Sequence, residues 1–334
     1  MNCSGEAILE AFLVGFEVAC KIGRGVNPRL YENGWHATSV IGTLGAAVAA
    51  GKLLGLDADK MTSALGLAAS QSCGLKQNFG TMTKPLHAGK AAESGVISAL
   101  FAKDGFTASH QILEAKRGFC ATFAGEYDLD GMVENLGNPY DIISPGVHTK
   151  PYPSCLMTHP IIDATLSLAE SRNIQPEDVD SVVCEIAPLA SGALIHSNPE
   201  TGLQGKFSAP YVVAVSLLDP RVSLEQFTDQ KVRDPKARAM MQKVKLTVHP
   251  ELEGEPPPVI VHIRLKDGKE YTKRVDIATG NPEKPLSLDR MIEKFRGCAD
   301  AMINRKRIDE AIDMILHFER LGDITQLITR IVRQ

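Results

Sequence analysis

Apolar residues recur at helical spacing near the start of the chain. Ile8, Leu9, Phe12, Leu13 and Phe16 stand three and four apart, which predicts an amphipathic helix over 5–22. The stretch GTLGAAVAAGKLLGL, 42–56, is rich in Ala and Gly and almost uncharged. Small residues let helices approach closely, so this stretch predicts a buried helix in the middle of a bundle. Asp57 or Asp59 then caps a helix through KMTSALGLAASQS. The segment after Lys84 reads as a further helix, with Pro85 at its first position and Gly105 as its C-cap. A short helix through SHQILEA follows. Three prolines and a glycine in ISPGVHTKPYPSC, 143–155, then break the pattern.

Beyond that break the period changes to two. VDSVVCEIAP reads as a strand, and KVKLTVH, 243–249, alternates with Val244, Leu246 and Val248 on one face. VIVHIRLKDGKEYTKRV predicts a hairpin with Val261, Ile263 and Leu265 inward and a type I′ turn at Asp267–Gly268. Helices are interleaved in this part at 158–171 and 208–218, and helices return at 287–300 and 307–319 with a short one at the end. The expected class is therefore α+β: an all-helical domain over 1–144 and 286–334, with an α+β domain inserted at 145–285.

Composition narrows the partners. The 334 residues are 44% hydrophobic and 23% charged, ordinary for a globular protein and enough for two domains. A net charge of −4 argues against nucleic acid or an acidic membrane surface, so any attraction for anions is local. Seven cysteines, odd in number and without a CxxC pair, read as reduced thiols of a cytoplasmic protein. Glu6, Glu10 and Glu17 interrupt the apolar start, which makes it a poor signal peptide and too polar to span a bilayer.

Four clusters carry candidate chemistry. GWHATS places His36 beside the only tryptophan, ahead of the buried helix. TMTKPLHAG places Lys84 and His87 at a helix start, where a cation opposes the dipole and an arriving anion is favoured. KPYPSCLMTHPIIDA carries Lys150, Tyr152 and Cys155 on a proline-stiffened turn, and GKFSAPYVVA carries Lys206, Ser208 and Tyr211. Each has a plainer reading. His36 is then a hydrogen-bond donor at a helix start, Lys84 a surface lysine covering Pro85, and His87 a local cap partner. Cys155 is then a small buried hydrophobe and Tyr211 a core aromatic. Cys155, His159 and Asp163, spaced four apart, also suggest metal ligands, against which Pro160 and the lack of a second ligand pair argue. The nucleotide-binding, zinc-protease and serine-hydrolase signatures are absent.

Taken together and in order, these clusters resemble the MmgE/PrpD family, which includes 2-methylcitrate dehydratases, cis-aconitate decarboxylases and iminodisuccinate epimerases. The resemblance spans essentially the whole chain. It implies a helical domain with an α+β lid, a homodimer, a small di- or tricarboxylate substrate, and no metal, flavin or nucleotide. His36 matches the family's G-F/W-H-x-T histidine, and Lys84 and His87 match T-x-S/T-K-x-x-H. Lys150 matches K-x-Y/F-P, and Tyr211 matches F-S-x-x-Y. Cys155 stands where cis-aconitate decarboxylases have a histidine, which favours another family reaction. The family's sequences carry a further segment ahead of the point where this chain opens. The expectation is therefore a truncated reading of the gene or a member with curtailed catalysis.

The implied chemistry moves a proton at a carbon next to a carboxylate. Lys84, Lys150 and the helix start suit the carboxylate, with His87 and Cys155 as further binding residues. His36 and Tyr211 are the acid–base candidates, the tyrosine needing a nearby cation to lower its pKa. Dehydration ranks first, as in 2-methylcitrate dehydratase. Epimerisation or isomerisation of a dicarboxylate ranks second and decarboxylation third. A non-catalytic member stands as the alternative of another class.

Overall fold

The computed structural model describes residues 3–252, 254 and 257–332. Its longest helices are α1 (Gly5–Val26), α2 (Ala37–Leu53), α3 (Ala58–Gln71), α4 (Thr83–Lys103), α5 (His159–Ser171), α6 (Ala209–Leu218), α7 (Leu288–Ala299) and α8 (Arg305–Leu316). Among the described residues four strands, β1 (Val179–Ile186), β2 (Val244–Val248), β3 (Val259–Leu265) and β4 (Glu270–Val275), make the α+β class. The chain divides into two compact units. One holds the chain up to Asn78, Met82–Gly146 and everything from Ala299 on; the other holds Phe79–Thr81 and Val147–Cys298.

In the helical unit, glycine decides the packing. A Cβ on Gly15 of α1 would come 2.6 Å from the Gly45 carbonyl oxygen and 2.8 Å from Ala49 Cβ on α2. A Cβ on Gly95 of α4 would come 2.5 Å from Ala46 Cβ and 2.6 Å from Ala47 N, also on α2. Backbones meet here, so α2 is the central helix, as its small residues predict. The apolar stripe read on α1 is not the face it buries. Phe12 is 52% exposed, while Ala11, Gly15, Glu17, Lys21 and Ile22 face inward. The close approach at Gly15 turns that side of the helix toward α2, whatever the hydrophobic pattern.

Two of those inward residues are charged. The Glu17 carboxylate accepts the Gly137 and Asp141 N–H groups at 2.8 and 2.7 Å. Lys21 Nζ donates to the Glu134 carbonyl at 3.0 Å and lies 3.4 Å from Asp141 Oδ1, which also accepts from Arg24 at 2.7 Å. This network fastens α1 to the segment 134–141. The SHQILEA stretch forms turns instead of the expected helix, held by the Ala115 N–H on the Gln111 carbonyl at 3.0 Å.

The second unit is two-layered. The sheet order is β2-β1-β3-β4, with β1 and β2 parallel and the other pairs antiparallel. Val182, Cys184 and Ile186 of β1 and Val259, Val261 and Ile263 of β3 are buried on one face, with α5 and α6 in the same core. α6 is apolar all round and buried along nearly its whole length. β2 is an edge strand, so its alternation yields half-burial at Val244 and Leu246 and leaves Val248 exposed. The hairpin turn differs from the expected type I′. Gly268 has φ +87°, but Asp267 is not left-handed, whereas type I′ needs positive φ at both positions.

His159 opens α5 with no exposed surface, and neither ring nitrogen meets a hydrogen-bond partner among the described residues. Burial, reinforced by Lys150, pushes its pKa down to about 4. The folded state therefore holds the ring neutral at pH values where the unfolded chain protonates it near 6.5. Stability from this group is complete above pH 6.5 and is lost as pH falls from there to about 4, by about 3 kcal/mol. His159→Leu is expected to remove that share of the acid destabilisation, read by denaturant unfolding at pH 7 and pH 4.5. An unchanged pH dependence would refute it.

Candidate functional site

His36 is placed by a short pairing of two loops. Its N–H donates to the Gly74 carbonyl at 2.9 Å, Lys76 N–H returns to Gly34 at 2.9 Å, and Trp35 bridges Leu75 between them. The His36 carbonyl then accepts Ser39 and Val40 N–H groups, so His36 is the N-cap residue of α2. Its side chain caps nothing. It turns instead to α4, where Nδ1 lies 3.0 Å from His87 Nδ1.

α4 begins at Thr83, so Lys84 is its second residue and Pro85 its third, not its first. Proline is tolerated through a first turn because its missing N–H has no intrahelical partner there. Lys84 and His87 stand three apart on the helix and therefore share a face. His87 does not cap locally; its carbonyl accepts Ser39 Oγ from α2 at 3.3 Å. Both imidazoles are nearly buried, at 6% and 8% exposure. Burial first, then the Lys84 charge, then His87, push the His36 pKa down to about 4. Burial and Lys84 lower His87 as well. Two imidazoles in contact, both held neutral near pH 7, with one ammonium acting on both, can meet an anionic ligand and pass a proton between them.

Gly74, which the sequence reading did not single out, shapes this pair. Its φ is +128°, and a Cβ there would come 2.7 Å from Ser39 Oγ. The signal was the glycine itself, directly after the α3 segment.

The other predicted residues lie in the second unit. Lys150 is exposed and donates from Nζ to the Ser154 carbonyl at 3.2 Å. Cys155 is half-buried against the core, and its N–H donates to the Lys206 carbonyl at 2.9 Å. Asp163 accepts from Tyr152 Oη and Thr279 N–H, each at 2.6 Å. Among the described residues, no group of three His, Cys, Asp or Glu is placed to hold a metal. A surface groove of about 540 Å³ lined by Tyr152, Asp163, Ser167 and Lys284 includes none of the six site residues.

Tyr211 requires a correction. It is fully buried, its hydroxyl donates to the Gln226 carbonyl, and its ring stands edge-on to Phe227. Burial, then Asp219 and Asp234, push its pKa up, opposite to the shift a general base needs. The charges acting on it are acidic, so the cation its catalytic role required is not what it meets. Tyr211→Phe is expected to keep wild-type turnover and to cost about 1–3 kcal/mol of stability, because the Gln226 carbonyl loses its donor. A large loss of turnover with unchanged stability would restore the catalytic reading.

A second contact set links motif segments within this unit. Phe79 stacks on Phe207 at 5.4 Å, and His196 N–H donates to the Phe207 carbonyl at 3.3 Å. Gly80 has φ +84°, and a Cβ on it would come 2.6 Å from His196 Nε2. Phe79–Gly80 is thus seated against Phe207 and His196.

A helical unit with paired imidazoles beside a lysine, and an α+β unit bearing KPYPSC and KFSAPY, define a two-unit α+β protein. The chain belongs to the MmgE/PrpD family: the family's N-terminal domain matches residues 1–131 and its C-terminal domain residues 152–319. It is 32% identical to the cis-aconitate decarboxylase of Mus musculus, over 99% of this chain and 69% of that protein. It is 32% identical to the cis-aconitate decarboxylase of Homo sapiens, over 98% and 69%. With the cis-aconitate decarboxylase of Aspergillus terreus the identity is 30%, over 97% and 70%.

Proposed function

We propose that this chain is a lyase acting on a small tricarboxylate by proton transfer at a carbon next to a carboxylate. One observation carries the reading: His36 and His87 in contact at 3.0 Å, both held neutral, with Lys84 acting on both. Lys84 holds a substrate carboxylate, and the Thr83 and Lys84 N–H groups of the first turn add positive potential. His36 is the acid–base group that faces the reacting carbon. Such a positioned group contributes about 10²- to 10⁴-fold.

The relatives, all cis-aconitate decarboxylases by name, support placing decarboxylation ahead of dehydration, the reverse of the order expected from the sequence. In that reaction the bond to one carboxylate breaks, its electron pair passes to the neighbouring carbon framework, and His36 delivers a proton to carbon. A second reading, dehydration of 2-methylcitrate, is favoured by Cys155 in place of a histidine. A second copy of the chain is proposed to cover the outward Leu9 and Phe12 of α1, giving a homodimer. Seven cysteines outside any disulfide fit a cytoplasmic setting, and among the described residues no helix is long and apolar enough to cross a membrane.

The test is incubation of the protein with cis-aconitate, 2-methylcitrate and citrate, followed by proton NMR and CO₂ release. Conversion of cis-aconitate with CO₂ evolution is the expected result. Conversion of 2-methylcitrate alone selects the second reading, and inertness toward all three refutes the lyase assignment.

A further inference from the structure

The contact between the two imidazoles is made nitrogen to nitrogen through the same ring position. His36 Nδ1 and His87 Nδ1 stand 3.0 Å apart, a hydrogen-bond separation. A neutral imidazole has one N–H and one lone pair. Two protons between these nitrogens would collide, and two lone pairs would repel. One Nδ1 therefore carries the proton and the other accepts it. The consequence reaches the far side of each ring: the residue with Nδ1–H has a bare Nε2, and its partner has Nε2–H.

We infer that His36 and His87 are one proton-sharing pair locked in opposite tautomers, with His87 as the positioning residue that sets the protonation of His36 Nε2. The pair is built to hold this state. The Gly74 carbonyl fixes the His36 backbone and Ser39 Oγ bonds the His87 carbonyl. Neither ring has room to turn away, since both are nearly buried. Lys84 opposes a net charge on either ring.

The arrangement also conducts. A proton arriving at the bare Nε2 of one ring frees that ring's Nδ1 proton, which crosses to the partner's Nδ1. The partner then releases its own Nε2 proton. One proton enters and one leaves, the two tautomers exchange, and no imidazolium persists beside Lys84. When His36 gives its Nε2 proton to a substrate carbon, a proton taken up at His87 Nε2 keeps both rings neutral and leaves the tautomers exchanged; passage the other way, a proton entering at His36 Nε2 and leaving at His87 Nε2, returns the starting state. This last consequence rests on the lyase reading; the opposite tautomers do not.

Nitrogen-15 NMR of histidine-labelled protein separates the two levels. Long-range proton–nitrogen couplings distinguish Nδ1–H from Nε2–H rings, and the nine histidines are assigned by single substitutions. One Nδ1–H and one Nε2–H ring are expected at positions 36 and 87. Two rings of the same tautomer would overturn the inference. His87→Ala is expected to change the His36 tautomer signal and to lower turnover about 10²-fold. His87→Asn keeps a polar group at the Nδ1 position and is expected to restore the His36 signal and about tenfold of the lost rate. An unchanged His36 signal in His87→Ala would also refute the pairing. Opposite tautomers in a protein inert toward every substrate would uphold the pairing and refute the lyase reading instead.

Discussion

Lys84→Ala is expected to lower turnover by about 10²- to 10³-fold while leaving the melting temperature nearly unchanged. That is the loss found when one preorganised donor to a developing anion is removed. Lys84 is half-buried in the first turn of α4 and lies in the helical unit's shell, not among its fully buried residues. Its replacement opens no deep cavity. The second signature is electrostatic. Lys84 is a cause of the lowered pKa at both His36 and His87, so both are expected to titrate at higher pH in the variant. Lys84→Arg should recover little, because a planar fork does not reproduce the point charge that acts on both rings. Turnover at the wild-type level, or histidine titrations that do not move, would remove Lys84 from the site.

Lys21→Ala is expected to destabilise the protein by about 3–5 kcal/mol, as when one partner of a buried ion pair is removed. Lys21 is 2% exposed, and its neighbours Glu17 and Asp141 are 3% and 5% exposed. The variant leaves two buried carboxylates with only backbone N–H groups and the half-exposed Arg24 to answer them. Lys21→Met keeps the aliphatic volume and isolates the charge. Both are expected to fall at lower denaturant concentration, with the methionine variant recovering only the packing share. Unfolding free energies within about 0.5 kcal/mol of wild type would show that the network contributes little, as surface ion pairs do.

The strands and most helices were legible because their patterns are local. A period of two through Val259–Leu265, or apolar residues all round Ala209–Leu218, states its own burial. The face of α1 was not legible, because it is chosen by which positions lack bulk opposite Gly45 and Ala49, and that partner lies on another helix. The same holds at the site. Spacing alone shows His36 and His87 as two separate helix-start residues. Their pairing spans 51 positions and depends on the loop contact at Gly74. Tyr211 misled because its hydroxyl partner is a backbone carbonyl, which no side-chain pattern reveals.

The glycine contacts on both sides of α2 invert the usual map of mutational tolerance. In most helical bundles the large core residues are the sensitive ones. Here a saturation scan should find Gly15, Gly45 and Gly95 among the least replaceable positions, since one added methyl strikes backbone or a neighbouring Cβ. Leu9 and Phe12, large and outward, should accept polar residues wherever folding of the single chain is what is selected. α2 is headed by His36 and α4 carries His87. Drift among the bulky residues can therefore remodel the unit's surface while the distance between the two rings stays set by main chain.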